Sequence, residues 1–73
     1  MHIKLGASCY AMDIECYRAF YWHGDIYVMV EHGEDRCLVR KVACRGENDM
    51  LTFLSCDVGW FNSYGDVKPI TIE

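Results

Sequence analysis

Short segments rich in Val, Ile, Tyr, Phe and Thr alternate with turn signals that recur every ten residues or so. The turn signals are His23-Gly24-Asp25, His32-Gly33-Glu34-Asp35, Arg45-Gly46-Glu47-Asn48-Asp49 and Ser63-Tyr64-Gly65-Asp66. This rhythm is typical of an antiparallel β domain, because β-branched and aromatic residues favour strands and Gly, Asn and Asp favour the turns between them. It predicts strands at residues 2–5, 15–22, 26–32, 36–44, 51–56 and 67–72.

The first two turn signals also predict a strand register. A two-residue turn at His23-Gly24 places three pairs on one face: Tyr21/Ile26, Ala19/Val28 and Tyr17/Val30. A second turn at Gly33-Glu34 adds two pairs to that face: Val30/Cys37 and Val28/Val39. The opposite face then holds the pairs Met29/Leu38, Tyr27/Arg40 and Glu31/Arg36. Since the two turns agree on one apolar face, the pattern predicts a three-stranded meander with that face buried.

A sheet with one apolar face needs that face to be shielded from water by other parts of the protein. No long helix is predicted, so we expect the sheet to curl into a small SH3-like or OB-like barrel, which makes the fold mainly β and antiparallel. Residues 8–14 are ambiguous, because Ser8 could N-cap a short helix there. The alternative is an α+β fold in which one helix over residues 8–20 covers the sheet. Pro69 is expected on an edge strand, since it has no N–H to donate to a ladder.

Composition narrows the class of protein. The chain has 73 residues, and we expect residues 1–73 to form a single domain. An apolar content of 52% argues against disorder, and no apolar run approaches the length of a membrane span. The formal net charge is −4, which argues against direct general binding of nucleic acid, because phosphate neutralisation requires clustered Lys and Arg.

The five cysteines are Cys9, Cys16, Cys37, Cys44 and Cys56. An odd number does not close a disulfide framework, and the N-terminus has no apolar stretch of the kind found in secretory signals. We therefore expect free thiols in a cytosolic protein. The cysteine and histidine spacings do not match a structural zinc site, and no catalytic or phosphate-binding motif is present. The sequence predicts neither an enzyme nor a cofactor or metal.

Two features are candidates for binding another protein. Arg36, Arg40, Lys41 and Arg45 fall within ten residues, and on a strand Arg36 and Arg40 share one face. Residues 57–66 are interpreted as a loop that carries Trp60, Phe61 and Tyr64. Trp, Tyr and Arg dominate binding hot spots. Trp60 and Phe61 either plug the open end of the barrel or form an exposed aromatic contact. The predicted protein-binding residues are Trp60, Phe61, Tyr64, Arg36 and Arg40.

The whole chain resembles a known kind of protein, from Met1-His2-Ile3-Lys4-Leu5 through Trp60-Phe61-Asn62-Ser63-Tyr64 to Pro69-Ile70-Thr71-Ile72-Glu73. In length and character it is similar to small phage host-takeover proteins, and within them to the antitermination proteins that bind bacterial RNA polymerase. The resemblance implies a transcription regulator in the host bacterial cytosol, and we expect it to be a monomer. Such a regulator docks on a polymerase subunit, inhibits promoter initiation and promotes terminator read-through. It implies no particular contact residue.

Two alternatives stay open at this point. An anti-CRISPR inhibitor would share the small size, the acidic balance and the lack of catalysis. An OB-like single-strand nucleic-acid binder would use exposed aromatic residues to stack bases, which also calls for a basic groove. Because the net charge is negative and a nucleic-acid binder calls for a basic groove, the sequence favours a protein-binding role.

Overall fold

The computed structural model describes residues 3–45, 51–53 and 58–72. The predicted turn at residues 45–49 and the end of the predicted strand 51–56 lie largely outside the described residues. The described chain forms eight strands and one short 3-10 helix, in the order β1 (Ile3–Leu5), β2 (Cys9–Tyr10), the 3-10 helix (Ala11–Asp13), β3 (Ala19–Trp22), β4 (Asp25–His32), β5 (Arg36–Arg45), β6 (Leu51–Phe53), β7 (Val58–Asn62) and β8 (Asp66–Ile72).

All of the strand pairs are antiparallel, as the sequence pattern predicted. The strand order is β1-β8-β3-β4-β5-β6; β2 also pairs with β8, and β7 also pairs with β5. The fold is therefore mainly β. Within residues 8–14, where the sequence allowed a short helix, the structure has a 3-10 helix at Ala11–Asp13. Among the described residues, none of the ladders joins the two end strands, so the sheet is not closed.

The sheet is nevertheless strongly curved. β5, β4 and β3 lie between β7 and β8, so β7 and β8 are four strand spacings apart. In a flat sheet, four strand spacings amount to about 19 Å. The chain crosses from Asn62 to Asp66 in four peptide units, and four peptide units span at most about 14 Å. The β7–β8 connection thus requires the sheet to curl, and the curling produces an inner and an outer face.

The predicted β3–β4 hairpin is confirmed. Tyr21 pairs with Ile26 and Ala19 with Val28, around a two-residue turn at His23-Gly24. Both turn residues have positive φ, 48° at His23 and 88° at Gly24. Such a turn matches the right-handed twist of the flanking strands. The predicted Tyr17/Val30 pair does not form. β3 begins at Ala19, and the Tyr17 N–H donates to the carbonyl of Met29 at 2.6 Å, while the Met29 N–H donates to the carbonyl of Arg18 at 3.0 Å.

The predicted β4–β5 register is wrong. The N–H of Gly33 donates to the carbonyl of Arg36 at 2.9 Å, so Glu34-Asp35 and not Gly33-Glu34 is the centre of the turn. Irregularities then follow between Met29 and Glu31 and between Ile26 and Tyr27. The observed pairs are Met29/Val39, Val28/Arg40, Tyr27/Lys41 and Glu31/Leu38. The predicted Tyr27/Arg40 and Glu31/Arg36 pairs do not form.

The shift in register changes which face is buried, because a one-residue slip moves every side chain of a strand to the other face. Cys37 and Val39 are buried as predicted, but in β3 and β4 the buried residues are Phe20, Tyr27 and Met29. The residues expected inside, such as Ile26 and Val28, are only half-buried on the outer face. The inner face gains three large side chains, and Phe20 stacks on Tyr27 with ring centroids 5.3 Å apart.

The core lies inside the curl. Its buried members are Ala11, Ile14, Phe20, Tyr27, Met29, Cys37, Val39 and Val67. Ala11 and Ile14 belong to the 3-10 helix region, which is held against the β7–β8 turn by two backbone bonds. Ala11 N–H donates to the Gly65 carbonyl and Met12 N–H to the Ser63 carbonyl, both at 2.9 Å. The 3-10 helix thus caps one end of the core.

Pro69 is not on an edge, since β8 pairs with β3 on one side and with β1 and β2 on the other. Its carbonyl accepts from Gly6 N–H at 2.8 Å. In an antiparallel strand the N–H and C=O of one residue point the same way. The missing donor of Pro69 therefore faces residues 6–8, where the ladder between β1 and β2 is interrupted. A Cβ on Gly6 would lie 2.9 Å from Pro69 Cγ, which explains the glycine there.

Residues 58–62 form a strand rather than the predicted loop. Val58–Asn62 pairs with Arg36–Arg40 over five residues. Within the described ranges, no helix has the length and apolar character needed to cross a bilayer.

Candidate functional site

Five of the outward side chains of β5 and β7 form one surface, which we call the Trp60 face: Arg36, Leu38, Arg40, Val58 and Trp60. Leu38 lies directly opposite Trp60, and Arg40 directly opposite Val58. Trp60 is 61% exposed and Val58 is 44% exposed. The Arg36 guanidinium carbon lies 4.3 Å from the centroid of the Trp60 ring. Three of the five predicted binding residues, Arg36, Arg40 and Trp60, are thus brought together.

Trp60 and Phe61, which are neighbours in sequence, have opposite roles in the fold. Successive side chains of a strand point to opposite faces. Phe61 points inward and packs against Phe20 and Trp22, with ring centroids 5.6 Å and 5.1 Å away. Of the two interpretations, Phe61 is therefore part of the core, and Trp60 is an exposed aromatic residue. Trp60 is not a plug.

Tyr64 lies apart from the Trp60 face. It follows β7 in the turn before β8, where its N–H donates to Asn62 Oδ1 at 2.8 Å. Its ring makes an edge-to-face contact with Tyr10, with centroids 6.0 Å apart. Tyr64 is 56% exposed and Tyr10 is 54% exposed. This second aromatic pair lies beside the 3-10 helix.

A groove opens on the inner side of β7. It has a volume of about 340 Å³, and Trp22, Tyr27 and Phe61 line it, with Trp60 at the β7 strand beside it. Lys41 also lines the groove, and its Nζ lies 3.1 Å from Asp25 Oδ2. Gly59 forms part of the wall, since it lies opposite the inward-pointing Val39. The groove is apolar, and the Lys41–Asp25 ion pair lies beside it.

Charge on the Trp60 face is mildly positive. Arg36 and Arg40 are exposed, and Glu31 lies opposite Leu38 on the β4 side of the face. Two guanidinium groups and one carboxylate therefore share this surface in a chain whose net charge is −4.

Cys9, Cys16 and Cys37, the cysteines whose side chains the structure describes, are free thiols. Burial raises the pKa of Cys37, whose Sγ donates to the Phe61 carbonyl at 3.4 Å. Burial also raises the pKa of Cys9, with a further contribution from the negative charges of Asp13 and Asp66. Both shifts keep the thiol protonated, which makes it a poor nucleophile. In the described part of the chain, no three His, Cys, Asp or Glu residues come together as a metal site.

The sequence reasoning missed three residues of this region: Leu38, Val58 and Gly59. The missed signal is the alternation in residues 58–62, in which Val58, Trp60 and Asn62 share one face and Gly59 and Phe61 the other. Interpreting the segment as a loop, because of its Gly, Asn and Ser, concealed that period of two.

No family model matches this chain, and neither the curated proteins nor the solved structures include a match to it.

Proposed function

We propose that this protein is a small regulator that acts by binding another protein through the Trp60 face. The observation that carries the proposal is the Arg36 guanidinium stacked on the ring of Trp60, a residue that remains 61% exposed. Trp and Arg are the residue types most enriched in hot spots, and stacking limits the conformational freedom that each side chain would lose on binding.

The partner that we propose is a subunit of bacterial RNA polymerase. The support is the resemblance in length and character to small phage antitermination proteins. Under this proposal the protein works as a monomer in the host bacterial cytosol, inhibits promoter initiation and promotes terminator read-through. The curled sheet supports a further proposal, that the fold is a small SH3-like or OB-like barrel.

Capture from a bacterial lysate tests the proposal. The wild-type protein, W60A and Y17A are immobilised, each after its fold has been verified by circular dichroism. Tyr17 is the matched control, because it is an 81% exposed aromatic residue that lies outside the Trp60 face. Wild type and Y17A should retain RNA polymerase subunits. W60A should weaken their binding by about 30-fold or more, since truncating a hot spot costs about 2 kcal/mol or more.

Three other results would contradict the proposal. Equal capture of polymerase by W60A would overturn the Trp60 face as the contact surface. Recovery of a CRISPR effector without polymerase would support the anti-CRISPR alternative. Tight binding of single-stranded DNA that weakens steeply with salt, without polymerase capture, would support the OB-like alternative.

A further inference from the structure

In the part of the chain that the structure describes, the edge of β7 that faces away from β5 has no partner strand. Among the described residues, Val58–Asn62 pairs with β5 alone. An edge strand presents N–H and C=O groups to any further strand, and proteins usually protect such an edge with Lys, Pro or a charged side chain. The five residues of β7, Val-Gly-Trp-Phe-Asn, include none of these. This edge is therefore chemically suited to accept another strand.

Gly59, in the middle of β7, has no role in the fold that requires glycine. Its φ lies outside the left-handed region, and a Cβ built on it would meet nothing within 4 Å. Gly in the interior of a strand weakens the strand, and it often marks a position that a ligand or another backbone approaches closely. Here the missing side chain would point toward the groove lined by Trp22 and Phe61. Gly59 keeps that groove open.

We propose that the partner adds an extended segment to the open edge of β7 and inserts a large apolar side chain into the groove beside Gly59. This inference rests on the proposed function and names how the partner is recognised. Side chains of the added strand alternate between the two faces. Those opposite Gly59 and Phe61 enter the groove, and those opposite Val58 and Trp60 lie on the outer face.

The positive charge on the outer face favours acidic side chains in the added strand. Stacking holds the Arg36 guanidinium over the Trp60 ring, and therefore over β7 itself. Glu31 lies on the far side of β5, opposite Leu38, and is thus more distant from the open edge. The recognised segment consequently alternates aromatic or large aliphatic residues with Asp or Glu.

A synthetic peptide tests this inference directly. The probe is a fluorescein-labelled Glu-Phe-Glu-Val-Glu-Phe-Glu peptide, about the length of a typical strand. Binding is measured by fluorescence anisotropy with wild type, G59V and R36A/R40A. We expect saturable binding to wild type and a loss of about tenfold or more with G59V, because the Val side chain occupies the groove. The double Arg variant should lose affinity with the weaker salt dependence typical of fewer charge contacts.

Matched peptides serve as controls. Replacing each Glu with Lys, or placing Pro at the central position, should abolish binding through like-charge repulsion or the loss of a ladder bond. Amide hydrogen exchange should slow at residues 58–61 when the peptide binds. Since Val favours strands, G59V should unfold no more easily than wild type in urea.

The outcomes separate this inference from the proposed function. No binding of the probe to wild type, unchanged binding to G59V, or protection elsewhere on the chain would overturn strand addition. If lysate capture still depends on Trp60 in that case, the proposed function survives by itself. A dimer of the free chain that G59V dissociates would show a second copy as the occupant of the edge, which would also overturn the inference.

Discussion

Arg36 lies over the ring of Trp60, with 4.3 Å between its guanidinium carbon and the ring centroid. The contact follows from the β5–β7 register. Trp60 is directly opposite Leu38, so Arg36, two residues away on the same face, is its diagonal neighbour. A diagonal pair is within the reach of long and aromatic side chains. A cation over an indole face is attracted by the quadrupole of the ring.

We predict that Arg36 and Trp60 are coupled in stability. A double-mutant cycle with R36A, W60A and R36A/W60A should show a coupling free energy of about 0.5–1 kcal/mol, as for other exposed cation–π pairs. Unfolding in urea, followed by circular dichroism, measures it. R40A/W60A is the matched control, because Arg40 is the other diagonal neighbour of Trp60, whereas the guanidinium over the ring is that of Arg36. Additive effects for Arg36 and Trp60 would contradict a stabilising contact.

Tyr17 to Gly is expected to stabilise the protein. Tyr17 has a φ of 69°, in the left-handed region that bulky residues rarely adopt, and it is 81% exposed. Relief of that conformation should raise the free energy of unfolding by roughly 0.5–1 kcal/mol, after the greater chain entropy of unfolded Gly is subtracted. Y17A keeps the unfavourable φ and should show no such gain. A destabilised Y17G would mean that the Tyr17 ring stabilises the fold more than its backbone strains it.

Gly65 to Ala is expected to destabilise the protein. A Cβ at Gly65 would lie 2.6 Å from Phe61 Cε1 and 3.1 Å from the Asn62 carbonyl oxygen, so the core ring would have to move. Overpacking of this kind typically costs about 1–3 kcal/mol. Thermal unfolding measures the change. G59A is the control, because its Cβ meets open space and should not lower the melting temperature.

His32 connects the end of β4 to the segment that follows the 3-10 helix. Its Nε2 lies 2.6 Å from the carbonyl oxygen of Ile14, to which the ring N–H donates. H32A should lower the free energy of unfolding by about 1 kcal/mol through loss of that bond. H32Q retains an N–H donor and should recover part of the loss. Equal unfolding of H32A and wild type in urea would show that the bond adds nothing to stability.

Cys37 should make stability fall at alkaline pH. Burial raises the pKa of its thiol above the ordinary value of 9.0. Between the unfolded and the folded pKa, the unfolded chain has released this proton and the native chain has not, so stability declines as the pH rises. The contribution is fully present below pH 9. The free energy of unfolding should therefore decrease less steeply in C37A than in wild type above pH 9. Parallel slopes would contradict the buried-thiol account.

The sequence by itself determined the elements whose conformation is local. The antiparallel strand pattern, the His23-Gly24 turn and the β3–β4 register follow from residues that adopt positive φ between alternating segments. The shared face of Arg36 and Arg40 follows from the period of two alone. These features depend on neighbours in the chain, so reading the chain recovers them.

Only the tertiary structure decided which face is buried and what meets on the outer face. Placing the β4–β5 turn at Glu34-Asp35, with the irregular pairs that follow, buries Phe20, Tyr27 and Met29 against Phe61, which comes from a distant strand. Pro69 is tolerated inside the sheet because its missing donor faces residues 6–8, where the ladder between β1 and β2 is interrupted. Burial of large side chains from distant strands outweighs the local preference of a turn. The same packing turned Phe61 inward and left Trp60 outside, under Arg36.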